Sequence, residues 1–295
     1  MSDRVEGIDV SKWQGEMEWN EAIMAGAEFA FIRAGSCDAV TGQCYEDYQF
    51  ERNAREAIPL IPVGFYWYFR PNHSPIAQAD YFCALINSVD FVLPPVCDIE
   101  TTGGLSRQGV ADSLKIFLDR VEAKTTVKPI IYTRSSFFNY AVEQRDYWSR
   151  YDLWIARYIN ANEPWGNVGD AAYVQPRDWK TWRFWQYSAD GNGEGAKYGA
   201  KSKSIDKNVF NGDIHAFASY IGFQIPVPPP TNPEMIVPLK LVKVTANALN
   251  CRQLPDANSK DFGELLKNSQ VPVTQVSGDW LLVKGWIHKD YVQDV

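Results

Sequence analysis

EGIDVSKWQGEMEWNEAIMAGAEFAFIRAG, residues 6–35, decides the fold. Apolar residues alternate in EGIDVS, recur at helical spacing through EWNEAIMAGA, and form a short run again in FAFIRAG. That is strand, helix, strand, and the order repeats downstream. A helical stretch around Arg52–Ile58 precedes the strand IPVGFYWYF, and another over Pro75–Asn87 precedes PPVCDIE. Gln108–Lys124 sets Val110, Leu114, Phe117, Leu118 and Val121 three and four apart, which predicts a long amphipathic helix before KPIIYTR. A helix near Phe137–Glu143 follows. The last strand candidates, DLWIARY, RFWQYS and SIDKNVF, come without long helices between them. Five β-α repeats and these strands give about eight strands in roughly 220 residues. The expectation is an α/β fold: an irregular, closed, TIM-like β/α barrel with a parallel sheet and reduced last helices. The runner-up is an open doubly wound sheet. No GxGxxG follows the first strand and no GxxxxGK[ST] occurs, so nucleotide binding loses its main support.

Downstream the pattern changes. Pro226–Pro238 reads PVPPPTNPEMIVP, with six Pro in thirteen residues. Such a stretch lacks amide donors and prefers extended geometry, so it acts as a semi-rigid spacer. Beyond it, short alternating runs with turns at roughly ten-residue spacing predict a small all-β barrel module. The expected division is 1–223 for the β/α barrel, 224–237 for the linker and 238–295 for the module. Charge supports the cut. Residues 236–295 carry seven Lys/Arg and six Asp/Glu, net +1, and the remainder carries 22 and 30, net −8.

The whole chain of 295 residues has a net charge of −7 and no basic stripe, which argues against a nucleic-acid partner. Its apolar runs are short and broken, so no membrane-inserted helix is expected. The oligomeric state is not legible. Five Cys include Cys37 and Cys44, close enough in sequence to close a short loop, although small buried or loop residues is the plainer reading. The start, MSDRVEGIDV, lacks a basic-then-apolar export signal. Synthesis in a cytoplasm is the expectation, with removal of a signal leaving the same appearance.

Acids stand at strand ends. Asp9 lies in GIDVSKWQG, Asp98 and Glu100 in PPVCDIE, and Asp206 in SIDKNVFNG. Asp98 and Glu100 are two apart, so both point to one face, with Cα atoms roughly 6–7 Å apart, while Cys97 and Ile99 take the other. In a β/α barrel the active site lies at the C-terminal strand ends, where four acids late in their strands could converge. Clustered carboxylates repel, and the least solvated keeps its proton near neutral pH. A proton-holding acid beside ionised partners is what glycosidic cleavage requires. Single acids of this kind also serve as helix caps, and a DxE pair serves as a solvated rim or metal site. His73, His215 and His288 form no HxH or HxxxH pattern, so no His-based metal site is expected; magnesium or calcium on oxygen ligands stays open. No cofactor is implied.

The 11 Trp, 15 Tyr and 15 Phe, 14% of the chain, call for a large core or a surface that stacks flat ligands. Tyr66 and Tyr68 share one strand face, and Phe65, Trp67 and Phe69 the other. Trp154 shares a face with Ala156 and Tyr158, and Trp185 with Tyr187. Sugar hydroxyls would take donors such as Gln186 and Arg157. Each ring alone reads equally as core.

GIDVSKWQG, FAFIRAG, PVGFYWYF, CDIE, IIYTR, LWIARY, FWQYS and IDKNVFNG resemble, in order, glycoside hydrolase family 25, the Chalaropsis-type lysozymes. The resemblance covers roughly residues 5–222. It implies a β/α barrel with irregular final strands, and hydrolysis of the β-1,4 bond from N-acetylmuramic acid to N-acetylglucosamine in peptidoglycan. It implies Glu100 as general acid, Asp98 as its partner, and Asp9 and Asp206 as the remaining acids. Tyr66 resembles a ring placed at the cleaved sugar. Tyr68, Tyr132, Trp154, Trp185 and Gln186 complete the candidate sugar-binding set. Family members often carry His where Trp67 stands, which bears on substrate preference. The family resembles retaining glycosidases, with a carboxylate nucleophile or the substrate's own N-acetyl oxygen attacking.

ALNCRQLP, GELLKNSQVPVTQVSGDWLLVK and GWIHKDYV resemble bacterial Src-homology-3-like wall domains over roughly 238–295. The resemblance implies peptidoglycan binding, with Trp280, Trp286 and Tyr291 as surface candidates and Cys251 in the core. The combined expectation is a wall-acting phage endolysin released with a holin's help. A bacterial autolysin, a non-catalytic wall binder and a chitinase-like or transglycosylating enzyme are the alternatives.

Overall fold

In the computed structural model, the described residues are 4–158, 175–222, 240–252, 255–259, 261–273, 275–283 and 286–294. The expected linker, 224–237, lies outside them. Contacts divide the chain into two compact units, Met1–Ile225 and Pro226–Val295.

The first unit is a barrel of eight strands: β1 (Arg4–Val10), β2 (Phe29–Cys37), β4 (Val63–Tyr68), β5 (Val96–Asp98), β6 (Ile130–Arg134), β7 (Leu153–Ala156), β8 (Phe184–Ser188) and β9 (Asp206–Asp213), with β1 pairing β2 to close it. A short strand, β3 (Cys44–Glu46), forms a hairpin on β2. Five helices lie between the strands up to β7: α1 (Trp19–Met24), α2 (Phe50–Ala57), α3 (Pro75–Ile86), α4 (Arg107–Thr125) and α5 (Ser135–Ala141). A sixth, α6 (Ile214–Tyr220), follows β9.

Apart from the β2–β3 hairpin, neighbouring strands from β1 through β8 pair in parallel, but β9 is antiparallel to both β8 and β1. The sheet is parallel as far as β8, and the irregularity expected of the final strands is the reversal of β9. A parallel return needs a crossover to the far end of the sheet, usually a helix. Between β8 and β9 the chain makes only the 3-10 turns Gly191–Gly193 and Gly195–Tyr198. It therefore re-enters from the end at which β8 left. Asp206, expected late in its strand, is the first residue of β9. The reversal still brings it to the C-terminal rim.

Strand alternation separates two cores. Outward residues, among them Ile8, Val10, Ala30, Ile32, Phe65, Trp67, Ile99, Ile131 and Ile155, pack against the helices. On α4, Val110, Leu114, Phe117, Leu118 and Val121 are all buried, as their spacing predicts, and Ser106 Oγ caps the helix by accepting from Gly109 N at 3.1 Å. Inward residues fill the barrel with rings: Phe29, Phe31, Trp154, Phe184 and Phe210, with Phe217 of α6 against them. Glycines make room. A Cβ on Gly7 would stand 2.6 Å from the Phe29 ring, and one on Gly64 would stand 2.7 Å from that of Phe31. The interior is thus a solid floor beneath the rim, not a pore.

Cys37 and Cys44 face each other across the β2–β3 hairpin and are disulfide-bonded, which resolves the pairing the sequence left open. The second unit is all-β, as expected. One sheet holds β10 (Lys240–Val244), β13 (Gln270–Val273) and β17 (Val292–Asp294). The other holds β11 (Ala248–Arg252), β12 (Asp261–Leu266), β14 (Gln275–Ser277), β15 (Trp280–Leu282) and β16 (Trp286–His288). Its core is Val242, Val244, Leu249, Cys251, Val273, Leu281 and Ile287.

Candidate active site

The four acids line one cleft of about 230 Å³ at the C-terminal rim, together with Ser11, Trp13, Gln14, Arg33, Tyr66, Tyr68, Tyr132, Trp154, Tyr158 and Gln186. A larger groove of about 540 Å³ lies elsewhere, with Phe50, Ala54, Ile58, Leu85 and Val89 in its lining, and none of the four acids reaches it. Sheet register explains the convergence. Asp9 on β1 stands directly opposite Asp206 on β9, a pairing that sets Cα atoms about 4.5–5.5 Å apart. Asp98, the last residue of β5, is flanked in register by Tyr68 on β4 and Tyr132 on β6. Glu100 follows two residues later.

Asp9 is 5% exposed, and its Oδ2 accepts from Gln186 Nε2 and Asn208 Nδ2, both at 2.8 Å. Each amide is oriented from behind. The Trp154 indole, which can only donate, gives its N–H to Asn208 Oδ1 at 2.8 Å. The hydroxyls of Tyr132 and Tyr158 donate to Gln186 Oε1 at 2.7 and 3.2 Å. Both amides must therefore present N–H to Asp9. Burial raises the Asp9 carboxyl to about 6, against the lowering effect of these two bonds; the charge of Glu100 adds to the rise.

The other acids have fewer donors. Burial pushes Asp206 up to about 9, with the charges of Asp9 and Glu100 adding to it. Asp98 is raised well above the carboxylate range by burial, then by Glu100 and Asp9. Its Oδ1 is buried and makes no hydrogen bond to the protein. Glu100 is raised by burial and held back by Arg134, whose Nε lies 3.6 Å from Oε2. Arg33 Nε lies 2.7 Å from Oδ2 of the buried Asp47, and the Arg33 charge opposes the rise at Asp98. Asp206 therefore holds its proton more tightly than Asp9, whose ionised form has the two amide donors. One rim holds both a proton store and a negative charge.

Of the expected sugar-binding residues, Tyr66, Tyr68, Tyr132, Trp154 and Gln186 line this cleft, and Trp185 does not. Trp185 belongs to the outward core and donates from its indole to the Arg157 carbonyl at 2.8 Å. The reason is alternation: adjacent residues on β8 cannot both face inward, and Gln186 does. Trp67 likewise faces the helices, fully buried, with its indole donating to Gln78 Oε1 at 3.1 Å. Its bearing on substrate preference is corrected accordingly, because it does not reach the cleft. Arg157 is exposed and not in the lining. Sequence reading missed Asn208, Arg33, Trp13, Ser11 and Gln14. For Asn208 a sign was available: it is two residues from Asp206 in SIDKNVF, so it shares that face.

In the second unit, Trp280 and Tyr291 line a groove of about 520 Å³ with Asn250, Arg252 and Ala257 among its other walls. Trp286 is on β16, and its side chain lies outside the described residues. Among the described residues, no group of three or more His, Cys, Asp or Glu is arranged to hold a metal ion. No described helix is long and apolar enough to cross a membrane.

Comparison with known proteins places these features. Residues 8–196 match the model of glycosyl hydrolases family 25, and residues 247–293 match that of the bacterial SH3 domain. Lysozyme M1 of Streptomyces globisporus is 34% identical over 70% of this chain and 68% of its own. The N,O-diacetylmuramidase of Chalaropsis sp is 24% identical over 70% of this chain and 96% of its own. Among solved structures, the bacterial lysozyme from Streptomyces coelicolor has a TM-score of 0.61 and 30% identity, covering 76% of this chain and all of its own.

The raised acids carry a stability cost whose sign can be worked out. Below pH 3.8, Asp206 is protonated folded or unfolded, with no net effect. As pH rises toward about 9, the unfolded chain releases the proton and the folded chain keeps it, so stability falls. Asp206→Asn should flatten the loss of stability between pH 4 and 8, read as denaturation midpoints against pH. Identical slopes in the two proteins would contradict the burial of this acid.

Proposed function

The chain belongs to glycosyl hydrolase family 25, and from that premise we propose that it hydrolyses peptidoglycan at the β-1,4 bond from N-acetylmuramic acid to N-acetylglucosamine. The observation that carries the reading is the cleft itself: four carboxylates of unequal proton affinity on one rim, sharing its lining with Tyr66, Tyr68, Tyr132 and Trp154. Lysozyme and muramidase are the names borne by its relatives.

In this reading Glu100 is the acid and base. It stands at the open edge of the cleft, with a quarter of its side chain exposed (26%), so it can reach a glycosidic oxygen from the rim. Its carboxyl proton passes to that oxygen as the C1–O bond breaks. Asp98 lies deeper, and its unpartnered Oδ1 suits the N–H of the substrate's acetamido group. Holding that N–H turns the acetamido oxygen toward C1, where it takes up the bond that the leaving group vacates. Water, losing a proton to Glu100, then opens the cyclic intermediate with retention. Asp9, held ionised by Asn208 and Gln186, offsets the positive charge that develops at C1. Asp206, holding its proton, donates to a sugar oxygen. A carboxylate nucleophile in place of the acetamido oxygen is the second route.

We propose the division expected from sequence: catalyst in 1–223, linker in 224–237 and wall-binding module in 238–295. The part before residue 236, at −8, is not drawn to walls that carry anionic polymers, so a tethered anchor supplies local concentration. The groove with Trp280, Tyr291 and Arg252 supports that role. The setting proposed is host lysis by a phage endolysin, with a bacterial autolysin of the same chemistry as the alternative. One chain pairing these two family matches suits both.

Glu100→Gln should remove wall lysis in a turbidity assay, by at least about a hundredfold as for loss of a general acid. Substantial retained activity would remove Glu100 from the role. Deleting 224–295 should weaken lysis of whole walls more than cleavage of soluble wall fragments. Equal losses on the two substrates would count against an anchor.

A further inference from the structure

Trp13 is the most exposed ring of the cleft. It lines the same cavity as the four acids, yet it is 70% exposed, against 49% for Tyr158, whereas Tyr66, Tyr132 and Trp154 are buried. Leaving so large an apolar surface in water forgoes the stabilisation that burial would give. A ring left out in this way on a loose loop would be unremarkable. This one is on a turn fixed from several sides.

The turn Lys12–Gln14 is capped reciprocally. Ser11 Oγ accepts from Trp13 N at 3.3 Å, and Gln14 Oε1 accepts from Ser11 N at 2.9 Å. Lys12 N donates to Asp47 Oδ2 at 3.2 Å, and the Tyr48 hydroxyl donates to the Lys12 carbonyl at 3.3 Å. From the other side, Lys201 N and Ser202 N donate to the Gln14 carbonyl at 2.9 and 3.2 Å. Gly15 leaves the turn at φ 71°, a left-handed conformation that glycine adopts without strain. Lys12 Nζ lies over the Trp13 ring, 4.9 Å from its centroid, and the residue stays largely exposed all the same. The backbone beneath the ring is already ordered, which lowers the entropy cost of binding against it.

The cleft below is small. Its volume of about 230 Å³ falls under the range of about 300–1,000 Å³ usual for small-molecule sites. A polymeric glycan entering it must run out over the rim. There it meets an exposed ring on an ordered turn, and an indole face suits the flat C–H face of a pyranose.

We propose that Trp13 is the stacking platform of a further glycan subsite, taking an N-acetylhexosamine residue that lies outside the acid cleft. The proposal rests on the muramidase reading. The test uses the full-length chain on peptide-free peptidoglycan glycans of two lengths, a short oligosaccharide and a long strand. Wild type should prefer the long strand in kcat/KM. Trp13→Ala should cut the long-to-short ratio on the order of tenfold, mainly through KM on the long strand, and Trp13→Tyr should recover most of it. In a Glu100→Gln background, Trp13→Ala should weaken binding of the long strand by a similar factor. A ratio unchanged by Trp13→Ala, or a loss that Trp13→Tyr does not recover, overturns the subsite alone. A wild-type chain that cleaves neither length overturns the muramidase reading and the subsite with it.

Discussion

Two amide hydrogen bonds into Asp9 Oδ2 are the interaction on which the site depends. Four acids in one small cleft could settle the repulsion by all holding protons, and a cleft of neutral acids has no charge with which to stabilise a cation. Gln186 and Asn208 break that symmetry, because their N–H groups favour the ionised form of Asp9 and of no other acid. Their orientation is inherited from Tyr132, Tyr158 and Trp154. The rings that line the cleft therefore also fix the amides that favour the charged form of Asp9.

That arrangement needs a rigid base, and the barrel supplies it. Phe29, Phe31, Phe184 and Phe210 fill the interior below the acids, and Trp154 stacks on Phe31 with centroids 4.4 Å apart. The antiparallel strand β9 is what completes the rim. It puts Asp206 opposite Asp9 and sends Asn208 inward two residues later. The same reversal dispenses with a crossover helix, so the irregular end of the barrel and the composition of its site have one cause.

Much of this was legible from alternation alone. The two-residue spacing of Asp98 and Glu100 put both in the cleft, and the α4 periodicity marked its buried stripe. The direction of β9 was not legible, because a strand's own pattern is the same in either direction and only the connection decides. Trp185 faces the helices because its neighbour Gln186 faces the cleft, and alternation permits only one of them to do so. Asn208 was passed over because an amide gains importance only from partners such as Trp154, 54 residues away. Cys37 and Cys44 became a pair only once β2 and β3 were in register.

The central claim is a cut that leaves muramic acid at the new reducing end. Its most direct test is to digest Gram-positive walls with the full-length chain, reduce the products with borohydride and read the released ends by mass spectrometry. The account predicts reduced N-acetylmuramic acid at those ends, accumulating with wild type and absent with Glu100→Gln. Reduced N-acetylglucosamine at the new ends, or anhydro-muramic ends without reducing groups, would contradict it.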